Sequence, residues 1–173
     1  MGAMRRTAAT TVAALAIAAS SAVAVEPLVP PPAGASLLFE TVADGVQIYA
    51  CEAQGQGGAW VFKAPEANLF DRQGRQVGTH FAGPSWKGSD GSVVVGEVTN
   101  KADAPGGDAI PWLLLRAKSH DGTGSMSAVA FVRRAETKGG NAPAGGCDAA
   151  HRGTEARMRY SALYQFFGAA KQQ

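Results

Sequence analysis

Glu155-Ala-Arg-Met-Arg-Tyr-Ser-Ala-Leu-Tyr-Gln-Phe-Phe167 alternates with a period of two. Met158, Tyr160, Ala162, Tyr164 and Phe166 fall on one side, opposite Arg157, Arg159, Ser161, Leu163 and Gln165. Successive side chains of an extended chain point to opposite faces, so this spacing predicts a strand with an apolar face and a polar one. A helix would instead repeat its apolar positions at three to four residues.

Working back from this strand, short apolar runs are separated by turn residues. Lys138–Gly146 is a loop by composition, with glycines, Asn141 and Pro143. Ile110–Lys118 and Ser127–Arg134 bracket Asp121-Gly122-Thr123-Gly124 as a hairpin, and Pro111, which lacks an N–H, belongs at a strand start or an edge. Ser92–Thr99 is a Val-rich strand suited to being covered on both sides. Asn68–Asp71 and Gln76–Phe81 flank a turn at Gln73-Gly74. Ala59–Lys63 follows a glycine-rich turn at Gln54–Gly58, and Ser36–Val42 and Val46–Glu52 flank Asp44-Gly45, the strongest hairpin signal in the chain. The expected fold is all-β: an antiparallel β-sandwich or a barrel-like single domain spanning 36–167, with a Pro-rich extended leader at 25–35 and a short tail at 168–173.

The first 24 residues read as an export signal. Arg5 and Arg6 precede an apolar run, Thr7–Ala19, and Ala22-Val23-Ala24 supplies small residues for cleavage. The run, about 13 residues, is too short to span a hydrocarbon core of roughly 30 Å. The expectation is a secreted or periplasmic protein that is not membrane-embedded. The full chain has 16 Lys+Arg against 14 Asp+Glu, and its net +2 comes from Arg5 and Arg6. The mature chain is formally neutral, which argues against nucleic acid as a partner. In an exported chain the two cysteines, Cys51 and Cys147, read as one disulfide. They lack the C-x-x-C spacing of a redox pair.

Gly45-Val-Gln-Ile-Tyr-Ala-Cys51, Trp60-Val-Phe-Lys-Ala-Pro-Glu66, Gly78-Thr-His-Phe-Ala-Gly-Pro-Ser-Trp86, Ile110-Pro-Trp-Leu-Leu-Leu115 and Gly146-Cys-Asp-Ala-Ala-His151 follow one another in the order of a known family. The chain resembles the bacterial and fungal domain of unknown function 3455 from about Pro32 to Phe166. The resemblance implies secretion and a shared architecture but no activity and no functional residues. Some fungal relatives carry a malate dehydrogenase-like label. Neither a G-x-G-x-x-G after a strand nor a βαβ pattern is present to support it.

Candidate chemistry is sparse. His80, His120 and His151 are too widely spaced for a recognisable metal motif, and both cysteines are committed to the disulfide. No cofactor is implied. Ser119-His120-Asp121 has triad residue types, but neighbours on a strand face opposite ways. No acidic pair is marked out by its context as a glycosidase pair. Trp60, Trp86 and Trp112 suit a core, with Trp86, set between turns, the best candidate for a sugar-stacking platform. Arg133-Arg134 with Arg157 and Arg159 would form an anion-binding face if their strands were neighbours. A bridge to Cys147 would fix Asp148, His151 and Arg152 against the sheet, so the candidate binding residues are His80, Trp86, Asp148, His151 and Arg152.

Two functions are compatible with this pattern. The first is a secreted or periplasmic non-catalytic binding or structural module whose partner is a glycan or small ligand. The second is an extracytoplasmic enzyme, a hydrolase or metal-dependent oxidase, with a site near His80 and His151. The signal itself is testable by intact mass. Exported protein is expected to begin at Val25, and an unprocessed N-terminus on exported material would refute the assignment of Ala22-Val23-Ala24.

Overall fold

The computed structural model describes residues 29–55 and 57–170. The export signal, the first part of the leader and the end of the tail lie outside the described residues. Regular structure among the described residues is entirely strand: β1 (Leu37–Gln54), β2 (Gly57–Phe70), β3 (Gln76–Phe81), β4 (Ser85–Gly88), β5 (Val93–Ala102), β6 (Trp112–Asp121), β7 (Phe131–Gly139) and β8 (Glu155–Phe167). Each strand pairs antiparallel with the next, and β1 pairs with β8, so the sheet closes into a barrel. The domain is therefore a barrel and not a sandwich. No helix among the described residues is long and apolar enough to cross a membrane.

The alternation in β8 is realised as expected. Tyr160, Ala162, Tyr164 and Phe166 are buried in the interior, while Arg157 and Arg159 are exposed and reach Glu66 (2.7 Å) and Asp44 (3.6 Å) across the outer surface. Pro111 directly precedes β6, and the turn at Gln73-Gly74 joins β2 to β3. In the Val-rich strand, Val94 faces the core, whereas Val93 and Val95 are only half-buried outside it and Val98 is exposed.

The hairpin expected at Asp44-Gly45 does not form. Those residues lie mid-strand in β1, with Asp44 opposite Asn68 on one side and Ser161 on the other. The glycine serves close packing instead. A Cβ on Gly45 would sit 2.2 Å from the carbonyl oxygen of Glu66 and 2.5 Å from Ala67 Cα, so β2 can pair this closely only with bare backbone. The real turn comes at Gly55. The runs expected as separate strands at Ala59–Lys63 and Asn68–Asp71 likewise merge into β2, with Pro65 accommodated beside a register shift at Ile48/Tyr49.

An up-and-down barrel has two ends. The β2–β3, β4–β5 and β6–β7 connections gather at one of them, and that end is plugged. Met126 and Val129 of the β6–β7 loop are buried in the core. Asp90 ties the loop down by accepting from Ser92 Oγ (2.6 Å), Ser92 N (3.0 Å) and Ser125 N (2.6 Å), bonds that hold its carboxyl well below the usual range. The other end carries the β1–β2, β3–β4, β5–β6 and β7–β8 connections. Here Cys51 of β1 is bonded to Cys147 of the β7–β8 loop, 96 residues away. The leader is not a free arm where it is described: Val29 is fully buried and Arg133 Nε donates to its carbonyl oxygen (2.5 Å).

The disulfide closes a loop long enough to be worth on the order of 4–5 kcal/mol in the chain-entropy account. Replacing both cysteines by serine is expected to lower the unfolding free energy by about 2–5 kcal/mol in denaturant melts. A midpoint and slope equal to the parent's would show that the bridge is not a staple.

Candidate functional site

β3 and β4 form a tight hairpin in which His80 stands directly opposite Trp86. Facing positions of an antiparallel pair put their side chains on the same side, so both rings enter the barrel and stack at 4.6 Å and 9°. Tyr164 packs edge-on against both, and Phe166 packs edge-on against Trp86. This aromatic cluster fills the middle of the barrel, and His80 is as buried as its apolar neighbours. His80 Nδ1 lies 2.8 Å from the carbonyl oxygen of Ser85 and must donate to it. Nε2 of the neutral ring then has no proton. Burial lowers the pKa of His80 to about 3, with the nearby Arg134 charge acting in the same direction and the Ser85 bond opposing it.

Above the cluster the packing stops. A cavity of about 430 Å³ occupies the open end of the barrel. Tyr49, Leu113 and Ile110 form apolar walls, and Phe62 and Val98 stand at its edge about half exposed. His80, Gln47 and Arg134 reach it from the interior. The start of the β7–β8 loop packs against residues of this wall. Gly140 there has φ +82°, a left-handed conformation, and an added Cβ would meet Tyr160, Ile110 and Gln47 within about 3 Å. Its carbonyl accepts from Tyr49 Oη at 2.7 Å.

The polar groups around this cavity are incompletely matched. Arg134 is 9% exposed, and its Nε and Nη2 both donate to one acceptor, the carbonyl oxygen of Pro111 (3.0 and 2.9 Å). Among the described residues no carboxylate pairs with it. Gln47 lines the cavity, and behind it the Gln47 amide and the hydroxyls of Tyr160 and Tyr164 make no well-formed hydrogen bond but lie against one another, Tyr160 beside Gln47 and Tyr164, and Tyr164 beside Arg134. Burial pushes all three tyrosines, Tyr49, Tyr160 and Tyr164, above the ordinary phenol pKa, and the Arg134 charge pulls each of them down.

The residues singled out by sequence divide into two groups. His80 and Trp86 come together in the barrel, but Trp86 is 1% exposed and is no stacking platform for a sugar: its partner across the hairpin draws it inward. Asp148, His151 and Arg152 lie on the exposed β7–β8 loop beside the disulfide, and His151 Nδ1 is 2.7 Å from Asp148 Oδ1. His151 is not among the residues lining the cavity. β7 and β8 are neighbours, and Arg133, Arg157 and Arg159 stand on their outer face, but Arg134 does not join them. Arg133 points outward to Val29 and Gln165, Arg134 points inward, and Arg157 and Arg159 bind acidic partners on β2 and β1. Arg134, Gln47 and Tyr49 were not legible as site residues. The one available signal was an arginine at an inward position of β7, and that position is known only once the register is known.

The fold and site define a closed eight-stranded antiparallel barrel with one end plugged and the other holding an apolar cavity over a buried arginine. The chain belongs to the family described as Protein of unknown function (DUF3455), which matches residues 32–168. Comparison with curated proteins and with solved structures gives no match.

The state of His80 has a consequence for stability. The unfolded chain takes up this proton near pH 6.5 and the folded barrel only near 3. Protons therefore favour the unfolded state within that window: the His80 contribution is complete above about 6.5 and drains away toward 3. Unfolding free energies measured across this range are expected to fall with acidity more steeply in the parent than in His80→Phe. Equal slopes, or an imidazole seen by NMR to titrate near 6.5 in the folded protein, would refute a neutral His80.

Proposed function

We propose that the protein is an extracytoplasmic, non-catalytic binding module that holds a small molecule in the open end of its barrel. The carrying observation is the cavity of about 430 Å³, walled largely by aromatic and aliphatic side chains, with Gln47, His80 and Arg134 reaching it from the interior. Closed eight-stranded barrels are wide enough to hold one small ligand, and ligand sites are typically apolar concavities with a few convergent polar groups. Placement outside the cytoplasm is supported by the export signal read from residues 1–24 and by the Cys51–Cys147 disulfide.

Of the two partner classes considered, a small ligand is favoured over a glycan, since a concave, largely apolar cavity suits it better than an open stacking surface. The enzyme alternative draws support from the Asp148–His151 pair, in which the carboxylate holds the imidazole in one orientation. It requires His80 to serve the same centre, yet His80 is stacked on Trp86 inside the barrel.

Ligand binding to the folded state raises stability by about 2.7 kcal/mol at a hundredfold excess over Kd. Screening small amphipathic molecules by thermal denaturation is expected to find compounds that raise Tm, and Leu113→Trp, which fills the cavity, is expected to abolish the shift. Shifts that survive the filled cavity would place binding elsewhere and overturn the proposal.

A further inference from the structure

The charge distribution around the cavity narrows the ligand class. The ionisable side chains that line it are Lys63, Lys101 and Arg134, with Tyr49 and His80, and no carboxylate is among the lining residues. His80 is neutral and Tyr49 un-ionised at ordinary pH. Lys63 is held by Glu52 at the outer edge. Lys101 is exposed, and among the described residues it has no acidic partner. Arg134 is different in kind: it lies inside the barrel, close enough to His80 to act on its charge, with the carbonyl oxygen of Pro111 and the Tyr164 hydroxyl against it and no carboxylate among the described residues.

A guanidinium does not lose its proton in a protein, so this charge cannot be relieved by deprotonation. A buried charge is expensive unless it is paired. Arg134 uses Nε and Nη2 on a single oxygen, which leaves its positive charge uncompensated beside a cavity. The Gln47 side chain, 2% exposed, also lines the cavity, and its amide nitrogen has only the Tyr160 hydroxyl nearby and no well-formed bond. Both groups donate hydrogen bonds and call for an acceptor bearing negative charge. The apolar walls formed by Tyr49, Leu113 and Ile110, continued outward by Phe62 and Val98, call for a hydrocarbon or aryl body.

Building on the reading of the cavity as a ligand site, we infer that the ligand is a small amphipathic organic anion. It enters with its carboxylate toward Arg134 and Gln47, and its apolar body lies between Tyr49, Leu113 and Phe62. Lys101 at the entrance attracts the same sign of charge and raises the encounter rate without fixing the bound geometry. Arg134 is thus the selectivity group and the aliphatic and aromatic walls supply the bulk of the affinity.

Calorimetric titration of the mature protein with octanoate, octanol and octylamine tests this, because the three share a body and differ in the head group. Octanoate is expected to bind at least tenfold more tightly than octanol, and octylamine more weakly than either. Arg134→Gln is expected to bring the octanoate-to-octanol ratio toward one. Should that variant fail to fold, Lys101→Glu, on the exposed rim, is expected to weaken octanoate several-fold through slower association while moving octanol much less. Equal binding of octanoate and octanol by the parent would overturn the anion inference and leave the cavity reading standing. Binding of none of the three, with no effect of Leu113→Trp in the screen, would remove both. An octanoate preference that Arg134→Gln leaves intact would overturn the role of Arg134.

Discussion

Ring closure rests on the pairing of β1 with β8, which runs from Leu37 opposite Phe167 to Ala50 opposite Glu155. A sheet of eight strands has two edges unless its first and last strands meet, and an open edge offers unpaired backbone groups to any other chain. Here β1 is bonded along nearly its whole length to β2 on one side and to β8 on the other. Both demands need a strand that is long, unbroken and able to bend. A missing side chain at Gly45 lets β2 approach, and the register shift between Ile48 and Tyr49 is the irregularity at which β1 can bend.

Closure also creates an interior that must be filled. In the plugged half, the filling is conventional: Leu69, Val94, Leu115, Val132 and Phe166 pack with Met126 and Val129 from the β6–β7 loop. The middle layer is aromatic, with Trp86 and His80 stacked and Tyr164 against their edges. His80 can live there because its neutral ring is flat, donates to Ser85 and stacks like an aromatic hydrocarbon. The open half breaks the pattern. There the chain places an arginine, a glutamine and tyrosines in the interior in place of aliphatic side chains.

Two adjacent arginines show how far apart neighbouring residues act in such a wall. Arg133 faces out, where it meets the Trp112 ring at 5.4 Å, donates to Gln165 and fastens the leader through the Val29 carbonyl. Gln165 continues the network to Glu40, whose carboxyl is held below its ordinary pKa by Arg72 and then by Gln165 itself. Arg134, one residue on, faces the cavity. The strand wall separates a structural clamp outside from the cation inside.

What the sequence determined by itself is the local geometry. The period-two pattern of Glu155–Phe167 specified a strand with a defined inner face, Gln73-Gly74 specified a turn, Pro111 marked a strand start, and the paired cysteines specified a bridge. These features depend on neighbouring residues and on simple stereochemistry, so they survive without knowledge of what packs against them. The tertiary structure alone decided that Asp44-Gly45 is a point of close strand pairing and not a turn, because the same glycine serves a left-handed turn or a close backbone approach and only the position of β2 distinguishes them. It likewise decided that the sheet is a barrel, that Trp86 is enclosed, and that Arg134 and not the His151 loop stands at the cavity. Each of these follows from register between strands far apart in the chain. A shift of one residue in that register would exchange the inside and outside of a strand, and no local pattern in Phe131-Val-Arg-Arg-Ala135 says which arginine is turned inward.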